Sequence, residues 1–273
     1  MEKTKKEGTE VDIFLEAIFQ KYGYDFRNYA KASIKRRIQN LQKKFAIKKI
    51  SEMIPRMHQD RSFSNSILAE FSITVTEMFR DPEFYRSIRE NIVPYLDTYP
   101  FIKIWHAGCA TGEEAYSLAI ILKEENLYHK TTIFATDFNN VALRKARNGI
   151  YSLDEIKEFT QSYQKAGGKH SFSDYYHAKY KSAIIDNSLK KNITFANHNL
   201  VTDSDFGEMH LILCRNVLIY FNKILRDRVL NLFDSSLIHK GFLAIGSKES
   251  LNFSSIEKKF NPVDKKNKIY RKK

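Results

Sequence analysis

The stretch Ile102-Lys103-Ile104-Trp105-His106-Ala107-Gly108-Cys109-Ala110-Thr111-Gly112-Glu113-Glu114-Ala115-Tyr116-Ser117-Leu118-Ala119-Ile120 decides the fold class. A short apolar run passes through two glycines into Ala115, Leu118, Ala119 and Leu122 at helical spacing. That order reads strand, glycine turn, helix. Glycines in such a turn let backbone N–H groups approach a ligand without a Cβ in the way. No Gly-Lys-Ser/Thr follows, so the turn is not a P-loop, and Gly108-x-x-x-Gly112 lacks the usual dinucleotide spacing. Alone, the turn fits a nucleoside-containing ligand and fits equally a loop that merely needs small residues.

Downstream, Thr131-Thr132-Ile133-Phe134-Ala135-Thr136-Asp137 reads as a second buried strand ending in an acid. Asp137 lies 25 residues after Gly112. In doubly wound folds an acid about 20 residues past the glycine loop accepts hydrogen bonds from ribose hydroxyls. The competing role is to cap the next helix (Val141, Leu143, Ala146), which Asn139 can also do and which ends at Gly149. Residues 192–200 form a third strand, and Met209 to Cys214 a fourth that turns at Arg215-Asn216. A helix carrying Leu225, Val229, Leu232 and Phe233 follows. Lys240-Gly241 turns into a fifth strand from Phe242, and Ile269 to Arg271 forms a last edge strand. Alternating strands and helices make the class α/β with a mostly parallel sheet. Gly108, Gly112, Asp137, Asn199 and Asn216 collect at strand ends, where open α/β sheets bind ligands. Residues 151–192 break the alternation. Phe172, Tyr175, Tyr176 and Tyr180 around a Gly167-Gly168 turn predict a small strand insertion.

Upstream, Asp81 and Pro82 form a helix start, N-cap then N1, after an extended β-branched run. Residues 1–10 are polar and expected to fray, and Ile13, Phe14, Ala17 and Ile18 form a helical face. Residues 26–51 carry nine Lys/Arg and no acid. Ile34, Ile38, Leu41 and Phe45 give that run a packed stripe, leaving Lys31, Lys35, Arg36, Lys43 and Lys44 mainly on exposed faces. A docking surface and a merely solvated face account for them equally. Residues 51–66 form another helical element, broken near Pro55. Domain boundaries are expected at residues 1–70 and 71–273, with the insertion at about 151–192.

The 273 residues carry a net charge of +13, which raises nucleic acid, an anionic surface or an acidic protein as partner. No membrane-spanning run and no signal peptide are read, so a cytoplasmic protein is expected. Cys109 and Cys214 read as buried free thiols rather than a disulfide or metal site.

Five stretches together resemble one family: Thr74-Val75-Thr76-Glu77-Met78-Phe79-Arg80, Ala110-Thr111-Gly112-Glu113-Glu114-Ala115-Tyr116-Ser117, Ala135-Thr136-Asp137, His198-Asn199-Leu200 and Cys214 to Phe221. They resemble the CheR family, S-adenosylmethionine-dependent methyltransferases that esterify glutamate side chains of chemotaxis receptors. The resemblance implies a Rossmann-like class I methyltransferase sheet with a small N-terminal helical domain and a small β insertion. It implies a cofactor site lined by Thr74, Thr76, Arg80, Glu113, Asp137, Asn199, Leu200, Arg215 and Asn216, with Gly108 and Gly112 as its backbone cradle. S-adenosylhomocysteine would be the product. Arg80 and Tyr220 would face the reacting centre. Lys31, Lys35, Arg36, Arg37, Lys43 and Lys44 would recognise an acidic receptor helix bundle. Thr74 stands where the family commonly has asparagine, Met78 where phenylalanine is frequent and Ala115 where proline is frequent. The expected partner is the cytoplasmic domain of a chemoreceptor or similar signalling protein, and the chain is expected to be a monomer.

Two other readings compete. A nucleic-acid methyltransferase would ordinarily show an Asn/Asp-Pro-Pro-aromatic site or a Pro-Cys nucleophile, and Cys214-Arg215-Asn216-Val217 is neither. A cofactor-binding signalling protein without catalysis would not need the full set of Arg80, Asp137, Asn199 and Tyr220.

Overall fold

The computed structural model describes residues 2–72, 74 and 76–273, with side chains from residue 8 onward. The chain forms two compact units, Met1–Ile73 with Ile219–Arg226, and Thr74–Leu218 with Asp227–Lys273.

The first unit holds α1 (Glu2–Tyr22), α2 (Lys31–Phe45), α3 (Met53–Gln59) and α4 (Arg61–Phe71). Their apolar stripes meet in a core of Phe14, Ile18, Phe26, Ile34, Ile38, Met57, Phe63 and Phe71. Phe71 packs on Phe14 and Phe26 with ring centroids 6.5 and 4.9 Å apart. Two expectations change here. Helix α1 begins at Glu2, so the polar start is helical. The break in residues 51–66 falls at Asp60, not Pro55. Pro55 sits in the first turn of α3, where no intrahelical N–H is required. Asp60 accepts from the amides of Ser62 and Phe63 and starts α4. The returning segment joins this unit by backbone pairing: Ala30 N donates to Tyr220 O (2.8 Å) and Asn222 N to Asn28 O (2.9 Å).

The second unit opens with α5 (Pro82–Asn91) and α6 (Val93–Leu96). Then come β1 (Ile102–Ala107), α7 (Glu113–Glu124), β2 (Thr131–Asp137) and α8 (Asn140–Asn148). An insertion follows: β3 (Ile150–Ser152), α9 (Leu153–Lys165), β4 (Tyr176–Lys179), β5 (Ser182–Ile185) and α10 (Asn187–Lys190). The main sheet resumes with β6 (Ile193–Asn197), β7 (Met209–Cys214), α11 (Lys223–Ser236), β8 (Leu237–Ile245), β9 (Phe260–Asp264) and β10 (Ile269–Lys272). The seven-stranded sheet runs β6-β2-β1-β7-β8-β10-β9. Its first five strands are parallel, β10 runs antiparallel to β8, and β9 antiparallel to β10. Strand β7 is buried at every position, as a central parallel strand must be. Helix α7 is buried from Glu113 to Leu122. The carboxyl ends of β1, β2, β6 and β7 therefore share one edge of a covered sheet.

Four strand-level expectations are corrected. The insertion contains a helix as well as strands: Ser152 and Glu155 form a capping box that starts α9. Gly167-Gly168 is not a strand turn but closes α9, Gly168 N reaching Tyr163 O (3.1 Å) and Gly167 N reaching Gln164 O (3.1 Å). The β4–β5 turn is at Tyr180, which takes φ +55°. Strand β8 begins at Leu237, so Lys240-Gly241 is an irregularity within it. Strand β10 is interior, and β9, carrying Pro262, forms the edge.

Candidate functional site

The glycine turn is fastened to β2. Thr136 O accepts from both Gly108 N (2.8 Å) and Cys109 N (2.9 Å), and Gly112 N closes onto Cys109 O (3.0 Å). Both glycines have positive φ, +78° and +94°. A Cβ on Gly108 would stand 2.6 Å from Val217 Cγ2, and one on Gly112 2.9 Å from the Cβ of Ala146. The turn is thus wedged between the segment after β7 and helix α8, and a side chain at either glycine would push it out.

Asp137 has a tighter local role than its place in the chain predicts. Its Oδ2 accepts from Ala110 N (3.0 Å) and its Oδ1 from Asn139 N (2.8 Å). Asn139, not Asp137, caps α8, and Gly149 closes it at φ +60°. Burial raises the Asp137 pKa against hydrogen bonds from the amides of Asn139, Ala110 and Phe138. A carboxylate has about four acceptor sites, so acceptor capacity remains for a hydroxyl donor. Glu113 is buried at 1 % exposure, with both carboxylate oxygens facing the Thr111 hydroxyl (2.7 and 2.8 Å). Burial pushes its pKa up to about 7. No cation forms an ion pair with it among the described residues. Tyr151 OH donates to Thr111 O (2.9 Å) and holds the turn from the insertion side.

Arg215, expected among the cofactor residues, has its guanidinium committed within the protein. Its Nη1 donates to Glu114 Oε2 (2.9 Å), and its Nη2 to Asp81 Oδ2 (2.6 Å). Nη1 also reaches the carbonyl of Arg80 (3.3 Å), and the guanidinium lies 3.9 Å over the Phe84 ring. Burial alone would raise the Glu114 pKa, but Arg215 and His106 prevail and hold it at about 2. His106 Nε2 is 3.4 Å from Glu114 Oε1. Asp81 stands in the N-cap position of α5, yet its side chain makes no cap hydrogen bond. The reason is its left-handed backbone, φ +58°, which accompanies its bond to Arg215. Glu114, Asp81 and His106 were not expected at the site. A signal for them existed: an arginine ending a predominantly apolar, buried strand is accommodated only against acids.

The other expected residues distribute as follows. Asn216 takes φ +61°, and its amide donates to Glu249 Oε2 (3.2 Å). Asn199 closes a local turn, its Oδ1 accepting from Val201 N (3.0 Å) while its amide donates to Asp203 (2.9 Å). Leu200 is buried, and Thr74, Thr76 and Arg80 are half-buried. The Arg80 side chain has no hydrogen bond or ion pair among the described residues. The extended run expected before Asp81 includes Ile73 and Val75, which lie outside the described residues. In the first unit, Tyr220 is half-buried with its ring 5.4 Å from the Arg37 guanidinium. Lys31, Lys35, Arg36, Lys43 and Lys44 are exposed along α2. Arg37 is not: it is 2 % exposed, with Nη1 donating to Glu70 O (2.6 Å) and Nε to Ser33 Oγ (3.2 Å). It therefore leaves the set of surface contacts. Cys109 and Cys214 are free, buried thiols.

A parallel sheet in this strand order, with a glycine turn after β1 and an acid ending β2, defines a Rossmann-like methyltransferase fold. Residues 74–269 match the family model "CheR methyltransferase, SAM binding domain", and residues 9–72 match "CheR methyltransferase, all-alpha domain". The chain belongs to the CheR methyltransferase family, whose cofactor is S-adenosylmethionine. It is 49% identical over 271 residues to the putative methyltransferase Cher3 of Pseudomonas putida, covering 98% of this chain and 99% of that one. It is 29% identical to a chemotaxis protein methyltransferase of Borreliella burgdorferi, over 89% of this chain and 88% of that one. A chemotaxis protein methyltransferase 1 of Vibrio cholerae is 28% identical over 80% of each chain. No helix among the described residues is long and apolar enough to cross a membrane.

Proposed function

We propose that this protein transfers a methyl group from S-adenosylmethionine to glutamate side-chain carboxylates of a chemoreceptor's cytoplasmic domain, leaving glutamate methyl esters and S-adenosylhomocysteine. The observation that carries the cofactor half is Glu113, a buried carboxylate in the glycine turn with no cation of its own. A carboxylate so placed suits the ammonium of the cofactor's amino-acid end. Asp137 has acceptor capacity left for ribose hydroxyls. Thr74, Thr76, Arg80, Asn199, Leu200 and Asn216 complete the proposed cofactor contacts, with Arg215 acting from behind through Arg80 and Asp81. The cofactor brings a methyl carbon activated by a positively charged sulfur. The acceptor needs no deprotonation, because a glutamate with an ordinary pKa of about 4.3 is already a carboxylate at neutral pH. The protein's work is therefore to align and to shape the field.

The exposed cations of α2 support an acidic partner. Lys31, Lys35, Arg36, Lys43 and Lys44 are solvent-facing, with no acid in the first turn of the helix. Attraction between exposed charges is screened over about 8 Å at physiological salt, so association should weaken steadily as salt rises. Binding to a receptor fragment that is unchanged between 50 mM and 500 mM salt would remove α2 from the interface. The deciding assay is methyl transfer from labelled cofactor to the receptor's cytoplasmic domain, with the label released by base. Label in RNA and none in protein would overturn the acceptor. Tyr220 is proposed to donate its hydroxyl to the acceptor. Tyr220→Phe should then lower turnover at saturating substrate by about tenfold; unchanged turnover would exclude the hydroxyl.

A further inference from the structure

Arg80 is flanked by two residues in a conformation that L side chains rarely adopt. Phe79 has φ +56° and Asp81 φ +58°. Each such residue is strained and persists only where its surroundings hold it. Phe79 is held from α7: its amide donates to Ser117 Oγ (2.9 Å), and its ring is buried against Tyr85 and Tyr163. Asp81 and the Arg80 carbonyl are held by one guanidinium, that of Arg215. Arg215 is held by Glu114, at 5 % exposure, and by the Phe84 ring beneath it. Glu114 in turn faces His106 on β1. A line of contacts thus runs from β1 through α7 and the end of β7 to the backbone of Arg80. The Arg80 side chain is left without a partner of its own among the described residues.

Stability alone does not account for this arrangement. A buried ion pair seldom outperforms apolar residues of the same volume. Here the network also seizes a main-chain carbonyl and an aspartate that would otherwise cap its own helix.

We propose that Glu114 and Asp81 are positioning residues for methyl transfer, acting through Arg215 to lock the backbone at Arg80 so that its guanidinium is presented already ordered. Neither needs to touch cofactor or acceptor. The inference rests on the methyltransferase reading for its kinetic arm only.

The test combines a cofactor-free measurement with a double-mutant cycle on the full chain. Hydrogen exchange at the Phe84 amide, which donates to Asp81 O (2.8 Å), is compared in wild type, Glu114→Gln and Asp81→Asn. Exchange at least tenfold faster in both variants is expected, and an unchanged rate overturns the proposal. For the cycle, kcat/KM is measured for each variant alone and combined with Arg80→Ala. Glu114→Gln and Asp81→Asn should each lower it about tenfold when Arg80 is present, and less than twofold once Arg80 is gone. Equal losses in both backgrounds mean a merely structural role and also overturn it. Asp81→Glu, which keeps the charge, should recover part of the loss. The Asp81 side chain is 43% exposed, so its asparagine variant keeps the test open if Glu114→Gln does not fold. Should the wild type fail to methylate the receptor domain, the acceptor assignment falls, and the exchange measurement decides the positioning role by itself.

Discussion

Arg215→Leu should destabilise the second unit by about 3–5 kcal/mol, the usual result of removing one partner from a buried ion pair. For a unit of this size that corresponds to a melting temperature lower by roughly 10 °C. The leucine preserves much of the volume above Phe84, so the loss is electrostatic. It leaves Glu114 buried with only His106 nearby, and leaves the Arg80 carbonyl and the Asp81 carboxylate without their donor. The pH dependence should change sign. In the wild type Glu114 has a folded pKa depressed from 4.5 to about 2. It therefore contributes stability that is full above about pH 4.5 and lost as pH falls toward 2. In Arg215→Leu the burial that raises its pKa is no longer opposed by the guanidinium. The carboxyl then prefers to be protonated, and stability should fall as pH rises from about 5 to 7. Adding Glu114→Gln to Arg215→Leu should recover much of the loss at neutral pH. Thermal melts of the three proteins between pH 5 and 8 test this. A single variant whose stability falls no more steeply than the wild type's over that range would mean that Glu114 is not charged against Arg215.

The sheet was legible because each parallel strand is an apolar run, and runs of that kind end where their burial ends. Asp137, Asn199 and Arg215-Asn216 could be placed at strand ends for that reason. What could not be read was the division of labour among those polar residues. Arg215 and Glu113 both sit in motifs at strand ends, yet one is spent on an internal ion pair while the other lies buried without a cation. That difference depends on which acids lie across the turn, and Glu113 and Glu114, consecutive on α7, point to different neighbours. A helix rotates about 100° per residue, so two neighbouring acids cannot share one partner.

Some of what was missed was present in the pattern. Ile34, Ile38 and Leu41 define the buried stripe of α2, and Arg37 sits three residues after Ile34 on that stripe. Periodicity leaves it out of the exposed set, and only the family resemblance adds it to the receptor contacts. Ser152 and Glu155 ahead of Ile156, Phe159 and Tyr163 carry the full signature of a capped helix, overlooked beside so many tyrosines. Strand β9 gave no such signal. It buries only Phe260, contains Pro262 and is identified by its pairing with β10. Edge strands are specified by their neighbours more than by their own alternation.

Cofactor affinity should depend steeply on pH, with Glu113 setting the acid side. Burial gives this carboxyl a folded pKa of about 7 against an ordinary 4.5. Its neutral form is thus favoured in the free protein, and stability is lost as pH rises from about 4.5 to 7, by on the order of 3 kcal/mol. An ammonium facing the carboxyl reverses the preference, because a nearby cation favours the charged form. Below pH 7, binding S-adenosylmethionine should therefore expel a proton, and affinity should fall about tenfold for each pH unit down to about 5. Above pH 8 it should fall again as the ligand's amino group, with an ordinary pKa of about 8, loses its charge. Glu113→Gln should abolish the acid limb, bind about tenfold more weakly near pH 7.5 and melt at a higher temperature at that pH than the wild type does without ligand. Calorimetry in two buffers of different ionisation enthalpy measures the proton directly: close to one released at pH 6, and roughly half a proton taken up at pH 8 as the ligand's amino group becomes charged. An affinity flat from pH 5.5 to 7, or an acid limb that survives in Glu113→Gln, would remove the ammonium from this carboxylate. The higher melting temperature of the variant separates the two halves of the claim, since it tests the cost of burying the charge with no cofactor present.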